Sequence, residues 1–188
     1  MKIGIFGGAF DPIHLGHLIV AEEAREMLQL DKMLFIPTYR PPHKKCHTSY
    51  EHRRNMVKIA IADNPFFELC EIEKHTKVSW TINTLKKLKK RYPADELYLI
   101  IGADQYNALG SWREPEKLKD YAQLVVIPRP NTLETNKKQK HDILYLKTSL
   151  IDIASQRIRE DLKNNRSVKY KVKDNVLKYI EQNKLYHK

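Results

Sequence analysis

Short, unbroken apolar runs alternate with amphipathic stretches along most of this chain. The first run, Ile3 to Phe6, feeds into Gly7-Gly8, the pattern of a buried strand ended by a tight turn. From about Leu15 the apolar positions Leu18, Ile19, Ala21, Ala24 and Leu28 recur at helical spacing. Met33 to Pro37 predicts a second strand stopped by proline, followed by a loop rich in Pro and His, Thr38 to Ser49. Helical spacing resumes near Tyr50 with Met56, Ile59, Ala60 and Ala62 and breaks at Asn64-Pro65. Phe66 to Ile72 alternates as a strand does, and Thr81 to Tyr92 is helical with Ile82, Leu85 and Leu88 on its apolar side. Leu97 to Ile101 is a strand ending in Gly102, and Leu124 to Ile127 is another, stopped by Pro128. Asn131 to Asp142 is polar and charged and predicts an excursion from the packed body. Ile143 to Leu146 returns as a short strand, and helices follow at about Ser155 to Lys163 and Asp174 to Asn183.

This alternation predicts an α/β fold: a Rossmann-like, doubly wound, mostly parallel sheet with helices on both faces and a C-terminal helical segment. In such sheets ligands bind beyond the carboxyl ends of the strands at a switch point, so Gly7-Gly8 and Gly102 are expected to open onto one crevice. There is no internal repeat, and no boundary requires a second domain. Residues 1–188 are therefore expected to form a single domain, long enough for a sizeable core. No apolar stretch approaches a membrane span, and Gly7-Gly8 and Asp11 interrupt the first run too soon for a signal peptide. Two cysteines, Cys46 and Cys70, support neither a disulfide framework nor a four-cysteine zinc site, so a cytoplasmic setting is expected. The formal charge of +11 implies anionic partners. Part of it, Lys86, Lys87, Lys89, Lys90 and Arg91, is the solvated face of one helix.

The link between the first strand and its helix carries the candidate chemistry. Residues 7 to 17 read Gly-Gly-Ala-Phe-Asp-Pro-Ile-His-Leu-Gly-His. A helix N-terminus presents unpaired N–H groups and partial positive charge, and so favours an anion. Glycine lets a phosphate approach the backbone, and His14 and His17, one turn apart, can donate hydrogen bonds from one face. Gly4, Gly7 and Gly8 do not have the spacing of the GxGxxG fingerprint, and no Gly-Lys-Ser/Thr follows as in a Walker loop. The residues point to a phosphate site; the alternative is an ordinary turn with two exposed histidines.

The same string resembles the GGxFDPxHxGH signature of the bacterial nicotinate-mononucleotide adenylyltransferases, within the superfamily marked by HxGH. His14-Leu15-Gly16-His17 supplies that tetrad, and the likeness covers nearly the whole chain. It implies an ATP site built from Gly7, Gly8, Ala9, Phe10 and Gly16. Pro41-Pro42-His43-Lys44 is similar to the family's PPHK loop, which implies that Lys44 approaches the triphosphate. Ile101-Gly102-Ala103-Asp104 resembles the IGxD segment, which implies Gly102 and Asp104 near the ATP ribose, where a carboxylate can accept from sugar hydroxyls. A helix N-cap is the other use for Asp104. Ser79-Trp80-Thr81-Ile82-Asn83-Thr84 is similar to S-Y-T-x-x-T, with Trp80 in place of tyrosine. It implies that Trp80, Thr81 and neighbouring amides meet the nicotinate carboxylate; a capped helix start is the alternative. Trp112 matches the tryptophan that stacks on the pyridine ring, against which stands a core tryptophan. Arg129 resembles an arginine near the mononucleotide phosphate, with an exposed surface arginine as the alternative.

The family's I-S-S-T-x-I-R segment reads Ile153-Ala154-Ser155-Gln156-Arg157-Ile158-Arg159 here. Ser155, Ile158 and Arg159 keep their places, while Ala154 and Gln156 remove two hydroxyls and leave fewer donors for the outer phosphates of ATP. Ser155 is expected to cap its helix and Arg159 to offer a planar fork to phosphate. The activity implied is transfer of AMP from ATP to nicotinate mononucleotide, giving pyrophosphate, in NAD biosynthesis. The attacking phosphate oxygen is already anionic, so alignment and charge stabilisation matter more than a base. His17 is expected on the α-phosphate, His14 beside it, Lys44 and Arg159 on the pyrophosphate, and Mg²⁺ bound mainly through ATP phosphates. Neither a nucleic acid nor a membrane is an expected partner, and a homo-oligomer is left open. His43, Cys46, His47 and His52 crowd one loop without a standard zinc spacing, and Lys169 to Lys173 forms a basic stretch. Three rival readings remain: a pantetheine-phosphate enzyme, which lacks the SxTxxT-like and late-tryptophan features; an enzyme preferring the nicotinamide mononucleotide; and a non-catalytic nucleic-acid-binding module.

Overall fold

The computed structural model describes residues 1–42, 45–128 and 143–187. Its elements in chain order are β1 (Lys2–Gly8), α1 (Leu15–Leu28), β2 (Lys32–Pro37), α2 (Tyr50–Ala60), β3 (Phe67–Leu69), α3 (Thr81–Arg91) and β4 (Glu96–Gly102). They continue as α4 (Ala103–Asn107), β5 (Gln123–Ile127), β6 (Ile143–Tyr145), α5 (Ser155–Lys163) and α6 (Asp174–Gln182), with 3₁₀ turns at Leu109–Ser111 and Pro115–Asp120. The strands form one six-stranded sheet in the order β3-β2-β1-β4-β5-β6, every neighbouring pair parallel. This is the predicted doubly wound α/β architecture, and its direction of winding reverses between β1 and β4.

The side-chain alternation of β1 explains why its apolar run is continuous. Ile3 and Ile5 face one layer, Phe6 the other, and all three are at most 6 % exposed. A parallel strand covered on both faces has no polar face to show. On one side α1, α2, α5 and α6 contribute Val20, Ala24, Met56, Val57, Ile158 and Ile180 to the core; on the other α3 contributes Ile82, Leu85 and Leu88. Gly4 sits where β1 is crowded: a Cβ there would lie 2.6 Å from Met33 Sδ and 2.7 Å from a Leu30 methyl.

Three expectations are trimmed or supplemented. The third strand spans only Phe67–Leu69, because beyond it the chain turns away at Glu71 to Lys74 instead of continuing along β2. Ala62 lies past the end of α2, which stops at Ala60 with Ile61 as its cap. The short helix α4 and the two 3₁₀ turns are additions; pieces this short carry too few apolar positions to show a period. The polar stretch Asn131 to Asp142 lies outside the described residues, as do His43, Lys44 and Arg129.

Candidate active site

The winding reversal leaves a cleft of about 650 Å³ beyond the carboxyl ends of β1 and β4. Gly7, Gly8, Ala9, Phe10, His14 and His17 line it from the β1–α1 junction, and Gly102 and Asp104 from the end of β4. Trp80 and Thr81 come from the start of α3, Trp112 from the segment after α4, and Ser155 from the start of α5. The two glycine-ended strands thus open onto one crevice, as the alternation predicts. Gly7 is exposed with no heavy atom near where a Cβ would stand, whereas the Phe10 ring lies 3.1 Å from that position on Gly8. Both glycines line the cleft, and Gly7 is the more exposed of the two.

The histidines are locked by their own helix start. His14 is the N-cap of α1 and is 2 % exposed. Its backbone N–H donates to His17 Nδ1 at 3.2 Å. An Nδ1 that accepts carries no proton, so the neutral His17 ring keeps its hydrogen on Nε2 as a donor. The two rings stack with centroids 3.6 Å apart at 26°, and His17 meets the edge of Phe10 at 5.1 Å. Gly16 underlies this pair: a Cβ on it would lie 3.1 Å from His14 Nδ1.

The turn between β1 and α1 rests on Asp11, 1 % exposed and joined to Pro12 by a cis peptide bond. Its carboxylate accepts from the His47 backbone N–H at 2.6 Å, the Tyr186 hydroxyl at 2.7 Å and the Thr48 hydroxyl at 2.9 Å. Burial pushes the Asp11 carboxyl up, but these donors and the nearby Arg159 charge outweigh it and hold the group below the usual carboxylate range. Burial, with the Asp11 charge, pushes the Tyr186 phenol up, so its hydroxyl stays a donor.

Three sequence expectations shift here. Ser155 does not cap α5: Ala154 holds that position, and Ser155 Oγ donates to the Pro12 carbonyl at 2.8 Å. Arg159 does not line the cleft; its guanidinium donates to the Asp11 carbonyl at 2.6 Å, because the helix turns that face toward the rear of the β1–α1 turn. Ile158 is fully buried in the core and Gly16 lies behind His14, so neither presents a side to the cleft. The cap before α4 is Gly102, which leaves Asp104 exposed in the first turn at the cleft wall. Trp112 is half-buried, one part against the core and one toward the cleft.

Several wall residues were not singled out from the sequence. Glu73 is buried, accepting from the Thr84 hydroxyl at 2.7 Å and from the Tyr39 N–H at 3.3 Å, so it ties the loop after β2 to α3. Arg40 and Ser79 exchange two hydrogen bonds across the same seam, at 2.9 and 3.0 Å. Arg113 lies with its guanidinium 5.8 Å from the Trp80 ring centre. Elsewhere, His47 is drawn to Asp11 and His52, at the start of α2, to the Tyr179 hydroxyl, so these two histidines serve different partners. Lys171 and Lys173 of the basic stretch are paired with Asp161 and Asp63. Among the described residues, no helix is long and apolar enough to cross a membrane.

Comparison with known proteins bears on the family and the fold. Residues 5–185 match the family described as cytidylyltransferase-like. A protein of Thermus thermophilus named "Probable nicotinate-nucleotide adenylyltransferase" is 43% identical over 188 residues, covering 99% of this chain and 100% of that protein. A protein of the same name from Citrifermentans bemidjiense is 37% identical, covering 99% and 98%. The Plasmodium falciparum nicotinic acid mononucleotide adenylyltransferase, solved with NaAD, superposes with a TM-score of 0.86 at 24% identity, over 98% of this chain and 97% of that one, and supports the fold. With family-wide matching from end to end, the chain belongs to the cytidylyltransferase-like family and, within it, to the nicotinate-nucleotide adenylyltransferases.

Proposed function

We propose that residues 1–188 act as one cytoplasmic domain that transfers AMP from ATP to nicotinate mononucleotide, releasing pyrophosphate. The observation that carries this reading is the stacked His14–His17 pair in the wall of the cleft at the winding reversal, beside the exposed Gly7. A phosphate oxygen of the mononucleotide attacks the α-phosphorus of ATP. The bond from that phosphorus to the oxygen bridging toward the β-phosphate breaks, and its electron pair leaves with pyrophosphate. Neither end needs a proton moved, so the protein's task is alignment and placement of charge.

His17 Nε2–H donates to the α-phosphate as charge builds there, and His14, stacked on it, meets the neighbouring oxygens. The N-terminus of α5, with Ala154, Ser155 and Gln156 at the cleft wall, turns its unpaired N–H groups toward the outer phosphates. Family resemblance assigns Lys44 to the departing pyrophosphate and Arg129 to the mononucleotide phosphate. Asp104 accepts from the ribose hydroxyls. Among the described residues, no three His, Cys, Asp or Glu side chains gather as a metal site. Mg²⁺, when bound, would be held mainly by the ATP phosphates and would supply charge neutralisation there.

Trp80, Thr81 and Trp112 form the acceptor end, with the pyridine ring on Trp112 and its carboxylate at the amides around Thr81. Trp112→Ala is expected to raise KM for nicotinate mononucleotide about tenfold, the scale of a lost stacking contact plus its buried area, with KM for ATP unchanged. Steady-state pyrophosphate release with each substrate varied in turn measures the split. The overall assignment is tested by offering purified protein ATP, Mg²⁺ and, separately, nicotinate mononucleotide, nicotinamide mononucleotide and phosphopantetheine. Strong preference for the first is the expected result; preference for another acceptor moves the assignment within the superfamily, and no pyrophosphate with any of them overturns it.

A further inference from the structure

The turn from Ala9 to Ile13 aims both histidines, yet it is held almost wholly by side chains that stand behind it. Ala9 offers its carbonyl to Arg53 of α2, whose guanidinium donates at 2.6 Å. Asp11 is gripped at its carboxylate by Thr48 and Tyr186 and at its carbonyl by Arg159. The Pro12 carbonyl takes the Ser155 hydroxyl. These braces come from four distant parts of the chain: the loop before α2, α2 itself, α5 and the C-terminal segment. Of the five side chains only Ser155 lines the cleft.

Two of the braces are costly to maintain, which argues against accident. Arg53 is 1 % exposed, yet among the described residues it makes no ion pair with a carboxylate; its hydrogen bond goes to a main-chain carbonyl. A buried guanidinium without a counter-charge is normally avoided. Tyr186, two residues from the end, has a backbone φ of 67°, a conformation non-glycine residues rarely adopt. Its hydroxyl reaches Asp11 across 175 residues of sequence.

We infer that Tyr186 and Arg53 are positioning residues for adenylyl transfer, bracing the Ala9–Ile13 turn from the rear so that His14 and His17 hold their places in the cleft. This rests on the proposed reaction, and it extends the site to residues that touch no substrate. The hydroxyl of Tyr186 is the cleanest part to remove, since Tyr186→Phe keeps the ring and deletes one donor to a buried carboxylate. Thr48→Val removes a second donor to the same oxygen.

The test is steady-state turnover of Tyr186→Phe, Thr48→Val and the double variant, normalised to folded protein, with melting midpoints alongside. Expected is a fall in kcat of about tenfold for Tyr186→Phe, the scale of a hydrogen bond to a buried charge, and a larger fall in the double variant. KM for nicotinate mononucleotide stays at its wild-type value, because the acceptor wall is built from other elements. The imidazole proton resonances of His14 and His17, which need no turnover, shift in Tyr186→Phe. Wild-type kcat per folded molecule in the double variant, whatever its melting midpoint, overturns the inference. Should the wild-type protein prefer another acceptor, the functional reading fails by itself, and the same variant comparison is made on that acceptor.

Discussion

His17→Ala is expected to lower kcat by about 10²–10³-fold, the usual loss when one preorganised donor to a developing charge is removed. The ring is placed by contacts that exist before any nucleotide arrives: Nδ1 is fixed by the His14 N–H, one face by His14 and one edge by Phe10. No reorganisation is needed when the α-phosphate takes on transition-state charge, and that is where such a donor contributes most. The ground-state triphosphate keeps its other partners, so KM for ATP is expected to move far less than kcat. Pyrophosphate release at saturating substrates gives the number, and a melting curve of the variant separates lost chemistry from lost fold. Near-wild-type turnover would remove His17 from the mechanism.

Much of this site is legible in the sequence because one short string fixes both chemistry and place. A continuous apolar run must be a strand covered on both faces and the following periodicity must be a helix; Gly7 and Gly8, expected as the turn that ends the strand, are instead its last two residues, paired with Ile36 and Pro37. Together these put His14 and His17 at the winding reversal. Gly102 closes its strand by the same logic. What escaped is the scaffolding behind the turn, because its members are joined across long stretches of chain. Arg53 did leave a trace: it lies on the α2 stripe with Met56, Val57 and Ala60, a charge where apolar residues belong, and all four are buried. Thr84 leaves a similar one beside Leu85 and Leu88 on α3, and it is the partner of Glu73. Tyr186 leaves none, since an aromatic near a chain end has no periodic context.

The placements of Ser155 and Arg159 show what motif reading alone leaves open. Both keep their family positions; Ser155 was expected to cap its helix and Arg159 to offer its fork to phosphate. The structure turns their polar groups onto the Pro12 and Asp11 carbonyls instead. A serine hydroxyl and an arginine fork suit a main-chain carbonyl as well as they suit a phosphate, so residue type cannot separate the two uses. Only the helix phase of α5, set by burial of Ile158 and Leu162, decides it.

Gly16→Ala is expected to lower kcat by about 10–100-fold without lowering the melting midpoint, a combination few substitutions give. On propensity alone the change is favourable, since alanine is better than glycine inside a helix by roughly 0.8–1.0 kcal/mol. The obstacle is local. The new methyl would stand 3.1 Å from His14 Nδ1, 3.2 Å from His14 Cε1 and 3.5 Å from an Ile151 methyl. His14 is 2 % exposed and already stacked on His17 at 3.6 Å, so it can yield only by pushing the second ring. A shift of a few tenths of an ångström in both imidazoles is enough to misalign donors on a reacting phosphate, given that about 1 Å can cost 10²-fold. Glycine between the two histidines is thus required by the packing of the rings and not by the helix. Steady-state kinetics paired with thermal melting decide the matter: an alanine variant that keeps wild-type kcat would mean that His14 has room to move, and that the stacked pair is not what sets the rate.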